Sequence, residues 1–197
     1  MTPPETPRLA WAITGSGHYL NECLELLAQR EDVDLFLSRA GAEVMAMYGH
    51  DLKALRERMT CFRDTTASAS PVGLFYKGHY SRLVVAPATS NTVAKMVCGI
   101  SDSLVTNIYA QAGKCRIPSL VFACDTAPAM ETEAPSGQVM VYPRRIDLEN
   151  VERLRTFEYT QIVDSFAELK TALESPPDRN ESHGHTRPET IKHPDQP

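Results

Sequence analysis

Residues 87–92, Pro-Ala-Thr-Ser-Asn-Thr, set four hydrogen-bonding side chains in a row directly behind the apolar run Leu83-Val84-Val85-Ala86. Thr89, Ser90, Asn91 and Thr92 offer three hydroxyls and one amide, which suit a polar heterocycle and a phosphate better than a metal ion. A helix N-cap uses one such residue, so four in succession point to a ligand held at the end of a strand. A second cluster is Gly15-Ser16-Gly17, between an apolar run and a helical pattern. Its backbone can approach a phosphate closely while the helix N-terminus supplies unpaired N–H groups. The same glycines equally suit a plain tight turn, because Leu20 breaks the G-x-G-x-x-G pattern of dinucleotide sites. Ser38 and Arg39 close a third apolar run and place a hydroxyl and a guanidinium at the same edge, or simply a loop serine and a surface arginine.

Strand and helix signals alternate along the chain, which predicts an α/β fold with a doubly wound parallel sheet covered by helices on both faces. Strands are expected over residues 9–14, 33–37, 83–86 and 119–123, with a short one over 139–142. Helices are expected after Gly17, carried by Leu20, Cys23, Leu24 and Leu27, and over 42–48, 52–59, 91–98 and 165–173. Another should start at an N-cap on Ser101 or Asp102 and run towards Ala112. Residues 65–71, rich in Thr, Ala and Ser, read as a loop or a short extended segment. A single domain is expected over 1–174, followed by a flexible polar tail over 175–197 that lacks the apolar surface to offset its ordering entropy. His183, His185 and His193 in that tail read as solvated and not as metal ligands.

The formal charge of −5 over 197 residues, with no Lys/Arg block, argues against nucleic acid or an anionic membrane as the main target. No run of about 18 apolar residues is present to span a membrane, and the start of the chain lacks a signal-peptide pattern; a cytoplasmic protein is expected. Cys23, Cys61, Cys98, Cys115 and Cys124 contain no C-x-x-C pair and read as reduced thiols, mostly core filler, with no metal site.

Three segments together resemble the homo-oligomeric flavin-containing decarboxylase superfamily: Gly15-Ser16-Gly17, residues 87–92, and Gly99-Ile100-Ser101-Asp102-Ser103-Leu104-Val105-Thr106. The second is similar to that family's P-A-S-A-N-T motif with Ser changed to Thr and Ala to Ser, and the third to its G-I-A-D-N-L-L helix start. The resemblance covers residues 9–125 and implies a Rossmann-like, flavodoxin-like fold that binds FMN. It further implies a homotrimer, or a larger assembly of trimers, with each flavin at a subunit boundary.

The decarboxylase chemistry of that superfamily has no matching residues here. Where its cysteine decarboxylases place a catalytic His in an H-I-x-L pattern, this chain has Gly73, and His79 reads as an ordinary loop residue. The P-x-M-N substrate clamp is replaced by Cys124-Asp125-Thr126. The P-C-S-M-K-T segment of flavin prenyltransferases differs as well. Residues 11–20 and 86–95 are most similar to the dihydromethanopterin reductase and archaeoflavoprotein branch.

That branch implies an FMN-dependent reductase that converts dihydromethanopterin to tetrahydromethanopterin with electrons from an external donor, since the tail carries no cysteine for a ferredoxin-like cluster. By resemblance, Gly15, Ser16, Gly17, Ser38, Arg39, Thr89 and Ser90 hold phosphate and ribityl, and Asn91 and Thr92 lie near the ring. Asp102 caps its helix beside the site, Cys124 lines the flavin, and Asp125 faces the substrate. No acid or base residue stands out. A flavin electron carrier, a flavin storage protein and, less readily, a cysteine decarboxylase are the other readings.

Overall fold

The computed structural model describes residue 4 and residues 6–66, 69–135 and 137–176. Residues 177–197, with the three tail histidines, lie outside the described part. Six parallel strands form the central sheet: β1 (Arg8–Ile13), β2 (Val33–Leu37), β3 (Cys61–Arg63), β4 (Tyr80–Ala88), β5 (Ser119–Ala123) and β8 (Thr160–Val163), in the order β3-β2-β1-β4-β5-β8. Without the three-residue β3, the order is the flavodoxin 2-1-3-4-5; with it, the sheet has the doubly wound order 3-2-1-4-5-6. Strand order therefore reverses between β1 and β4. Ligands of open α/β sheets bind outside the carboxyl ends of strands at such a switch point.

Strands buried on both faces read as continuous apolar runs. β2, β5 and most of β1 and β4 are buried along their length. One core layer packs α5 (Ser90–Val97) and α6 (Leu104–Lys114) on the sheet through Val93, Leu104 and Ile108. The other packs α1 (Leu20–Ala28) and α8 (Phe166–Glu174) on it through Leu20, Leu27 and Leu169. Trp11 is fully buried in that second layer, and its indole N–H donates to the Ala86 carbonyl at 2.8 Å, so its one polar atom is satisfied.

The helix α2 (Arg39–Met47) lies so close to β1 that a Cβ on Gly41 would stand 2.6 Å from the Ile13 carbonyl oxygen. Arg82, buried at the start of β4, donates to the Ala172 carbonyl at 2.5 Å and the Ser175 carbonyl at 3.0 Å. A buried cation is thereby matched to the carbonyl end of α8.

Several expectations need correcting. The helix expected from Ser101 or Asp102 is capped instead by Ser103, which exchanges hydrogen bonds with Thr106 in a capping box. Asp102 is exposed and bonds Lys95 through both carboxylate oxygens at 2.8 Å, and that lysine holds its carboxyl below the ordinary value. His79 is buried at the foot of β4, with its Nδ1 unpartnered and its carbonyl accepting from the Arg8 N–H. Only Cys23 and Cys124 are buried; Cys61 and Cys115 are half-buried and Cys98 is exposed.

Four elements carried too little apolar signal to be expected. They are β3, β8, the helix α7 (Arg145–Leu154), and β6 (Met130–Ala134), which pairs with β7 (Gly137–Val141) in an antiparallel hairpin. The remaining helices are α3 (Leu52–Arg58), expected from the sequence, and α4 (Gly73–Tyr76), a fifth unexpected element whose single turn is too short to show a helical pattern.

Candidate functional site

Thr14 directly follows β1 and ties the switch point together. Its hydroxyl donates to the Pro87 carbonyl at 2.8 Å and accepts from the Thr89 N–H at 2.9 Å. These bonds fix the turn after β1 against the turn after β4. The cleft between them, about 320 Å³, is lined by Gly15, Ser16, Gly17 and His18 from the first turn, Thr89 and Ser90 from the second, and Cys124 and Asp125 from the end of β5. Tyr48 and the β6–β7 hairpin form its outer wall.

The four polar residues after β4 divide their work. Thr89 caps α5, its hydroxyl accepting from the Thr92 N–H and lying 3.0 Å from the Thr92 hydroxyl, while Thr92 itself is buried. That part is a helix cap. Ser90 faces the cleft, and Asn91 is exposed outside its lining. Among the described residues, the N–H groups of Gly15, Gly17, Ser90 and Asn91 have no acceptor. Unpaired amides in the glycine turn before α1 and at the N-terminal end of α5, with the Ser16 and Ser90 hydroxyls beside them, form a donor set that fits a phosphate and a polyol.

Gly15 and Gly17 are needed for space: a Cβ on Gly15 would lie 2.6 Å from the Ala40 Cβ, and one on Gly17 would lie 1.9 Å from the Tyr48 hydroxyl. Tyr48 thus closes over Gly17 and donates to the Glu133 carbonyl at 2.9 Å, pulling the hairpin over the cleft. Cys124 Sγ lies 3.2 Å from the Ser16 hydroxyl and donates to it, and burial pushes the thiol up to about 12, so it stays protonated at neutral pH.

Ser38 and Arg39 are not in this cleft. Ser38 caps α2, accepting from the Gly41 N–H at 2.9 Å, and both residues line an adjoining cleft of about 410 Å³ at the ends of β2 and β3 with His50, Arg63 and Asp64. Gly73 opens α4 and does not line the switch-point cleft. Larger grooves, about 960 Å³ and 450 Å³, include residues at the amino ends of β5 and β8, the opposite edge of the sheet. Sequence reasoning missed Thr14, His18, Tyr48 and Thr132 of the hairpin. His18, next to the glycine turn, was the most accessible of these, since a titratable side chain directly after such a turn must lie near its ligand.

A doubly wound parallel sheet with a donor-lined cleft at its switch point defines a mononucleotide-binding α/β protein. The chain belongs to the Flavoprotein family, which it matches over residues 2–187. It is 53% identical to Burkholderia xenovorans DmrB, solved in complex with FMN and described as a cubic protein cage for redox transfer; the TM-score is 0.80, covering 86% of this chain and 94% of that one.

It is also 37% identical over 141 residues to the dihydromethanopterin reductase (acceptor) of Methanosarcina mazei, covering 65% of this chain but 59% of the reductase. An uncharacterized Methanocaldococcus jannaschii protein is 34% identical over 84% of this chain and 94% of its own length. The phenylacrylic acid decarboxylase of Aquifex aeolicus, 20% identical with a TM-score of 0.63 over 86% of this chain and 98% of that one, shares the fold. Among the described residues, no helix is long and apolar enough to cross a membrane.

Proposed function

We propose that this chain is an FMN-dependent oxidoreductase that reduces dihydromethanopterin to tetrahydromethanopterin with electrons from an external donor. The observation that carries this reading is the donor-lined cleft at the β1/β4 switch point, in a chain 53% identical to an FMN-bound redox protein over 86% of its length. The name of the 37% identical reductase supplies the substrate.

In this reading Gly15, Ser16, Gly17, Thr89 and Ser90 hold FMN through backbone N–H groups and hydroxyls. Ser38, spent on capping α2, and Arg39 belong to the neighbouring cleft and have no part in this donor set. Bound FMN supplies hydride chemistry to the substrate. Cys124, kept neutral by burial, presents an uncharged wall, and Asp125 lies at the substrate face. The hairpin shields one side of the cleft from water, which strengthens the polar contacts beneath it. The assembly in this reading is a homotrimer or a set of trimers, which covers the exposed side of the cleft.

The deciding experiment is anaerobic reduction of the FMN-loaded protein followed by addition of dihydromethanopterin. Reoxidation of the flavin with formation of tetrahydromethanopterin supports the reductase. A reduced flavin that is indifferent to the pterin but passes electrons to a redox protein would replace it with a carrier, and one that only exchanges slowly with free FMN would mark a storage protein.

A further inference from the structure

His18 lines the switch-point cleft, and its imidazole is aimed from two sides. Thr132 Oγ1 on β6 lies 2.9 Å from its Nδ1, and the Tyr19 ring stands edge-on with its centroid at 4.2 Å. In the imidazolium both ring nitrogens carry protons: Nδ1–H donates to the Thr132 hydroxyl, and Nε2–H has no partner among the described residues. The hairpin therefore leaves one ring nitrogen free for a ligand.

The charged and titratable groups around it give this imidazole a role that its neighbours lack. Asp125, from the end of β5, and Glu22, in the first turn of α1, both favour the cation, while burial opposes them and prevails, holding the group below its ordinary value of 6.5. The Cys124 thiol stays protonated up to about 12 and is committed to Ser16. The Tyr48 phenol is raised and committed to the Glu133 carbonyl, and the Glu133 residue is exposed on the hairpin. An imidazole gains and loses a proton near neutral pH; the thiol and the phenol here do not.

We propose that His18 is the proton donor of the reduction, passing the proton on Nε2 to the imine nitrogen of the dihydropterin as hydride reaches the adjacent carbon. The proposal rests on the reductase reading above. In this step the C=N double bond becomes single. The new C–H bond takes both electrons of the hydride from reduced flavin, and the new N–H bond forms as the Nε2–H bond of the imidazolium breaks. The neutral imidazole that remains keeps its proton on Nδ1, donated to Thr132, and Nε2 takes up a proton from solvent for the next turnover. Thr132 is a positioning residue, fixing which nitrogen faces the substrate.

The test mixes reduced, FMN-loaded protein anaerobically with dihydromethanopterin across a pH series and follows flavin reoxidation. A general acid must be protonated, so the wild-type rate should be level at low pH and fall as pH rises through the imidazole's value. His18→Gln should slow the step about a hundredfold and abolish that limb while retaining FMN. A loss below about tenfold, or a surviving limb, overturns the proposal.

A readout independent of turnover is the ring resonance of His18 in histidine-labelled, oxidised FMN-loaded protein, identified by its absence in His18→Asn. It should titrate below 6.5 and move when dihydromethanopterin is added; a resonance indifferent to the pterin overturns the proposal. If the wild-type flavin is not reoxidised by the pterin at any pH, the reductase reading itself has failed. Wild-type turnover that His18→Gln retains counts against the histidine alone.

Discussion

Ser90 and Asn91 are neighbours in sequence with opposite surroundings. Ser90 presents its hydroxyl to the cleft, so Ser90→Ala should weaken FMN binding by about 1–3 kcal/mol if a buried ligand oxygen loses its partner. Asn91 is exposed, and Asn91→Ala should leave that affinity within about 0.5 kcal/mol. Titration of the apoprotein by flavin fluorescence quenching measures both, and equal losses would show that Asn91 contacts the flavin as closely as Ser90 does. Thr89 acts on the fold instead, because its hydroxyl caps α5, and Thr89→Ala should cost about 1 kcal/mol of stability. Gly41→Ala meets the Ile13 carbonyl, which belongs to a central strand and cannot yield, and should cost about 1–3 kcal/mol in denaturant unfolding. The importance of 89–92 was legible from four polar residues after a strand. Which of them caps and which faces outward was not, because that depends on the rotation of α5 about its own axis.

At the scale of elements, the β6–β7 hairpin is the part of the site least visible in the chain. A two-stranded ribbon is marginal in water by itself, and this one is bound to the rest by Tyr48 to the Glu133 carbonyl and by His18 to Thr132. Tyr48→Phe should therefore speed amide exchange across residues 130–141 and FMN release, while unfolding of the central sheet stays close to wild type. Unchanged hairpin protection would show that the tether is unimportant. Its polar alternation, Met130-Glu131-Thr132-Glu133-Ala134, gives a weak strand signal because one face meets solvent and the other a cleft instead of a core.

α7 was missed for a related reason. It buries Asp147, Val151 and Leu154 on an otherwise polar helix, and Asp147 is held by the Arg144 side chain and backbone N–H. Those bonds keep the Asp147 carboxyl below its ordinary value of 3.8. A depressed folded value means the pair's stabilisation is complete above the unfolded value and lost as pH falls through the folded one. Asp147→Asn should lower the melting temperature at neutral pH, with the gap to wild type closing in strong acid; a gap constant with pH would assign the loss to packing.

At the scale of the whole molecule, the central sheet is well buried but the cleft opens to one side. Met140, Tyr142 and Ile146, along β7 and into the first turn of α7, are large and exposed, as is Met47 at the end of α2. Clustered exposed apolar side chains mark interaction surfaces, and closed symmetry is the ordinary outcome for one repeated interface. Light scattering of the FMN-loaded protein should give a multiple of three subunits. A monomer that still turns over pterin would show that one chain completes the site. Mass spectrometry of the released cofactor should find FMN; FAD alone would contradict a cleft built around one mononucleotide.

The sequence by itself determined the α/β class, the strands β2 and β5 to the residue, and the two turns that line the switch-point cleft. Continuous apolar runs and glycine or hydroxyl clusters at strand ends are local signals, written in adjacent residues. Tertiary structure decided what depends on residues far apart in the chain. It placed β3 and β8 at the sheet edges, assigned Ser38 and Arg39 to a neighbouring cleft, and swung the hairpin back so that Thr132 meets His18 across 114 positions. Such pairings are set by how helices pack on the sheet, and no short window of sequence contains both partners.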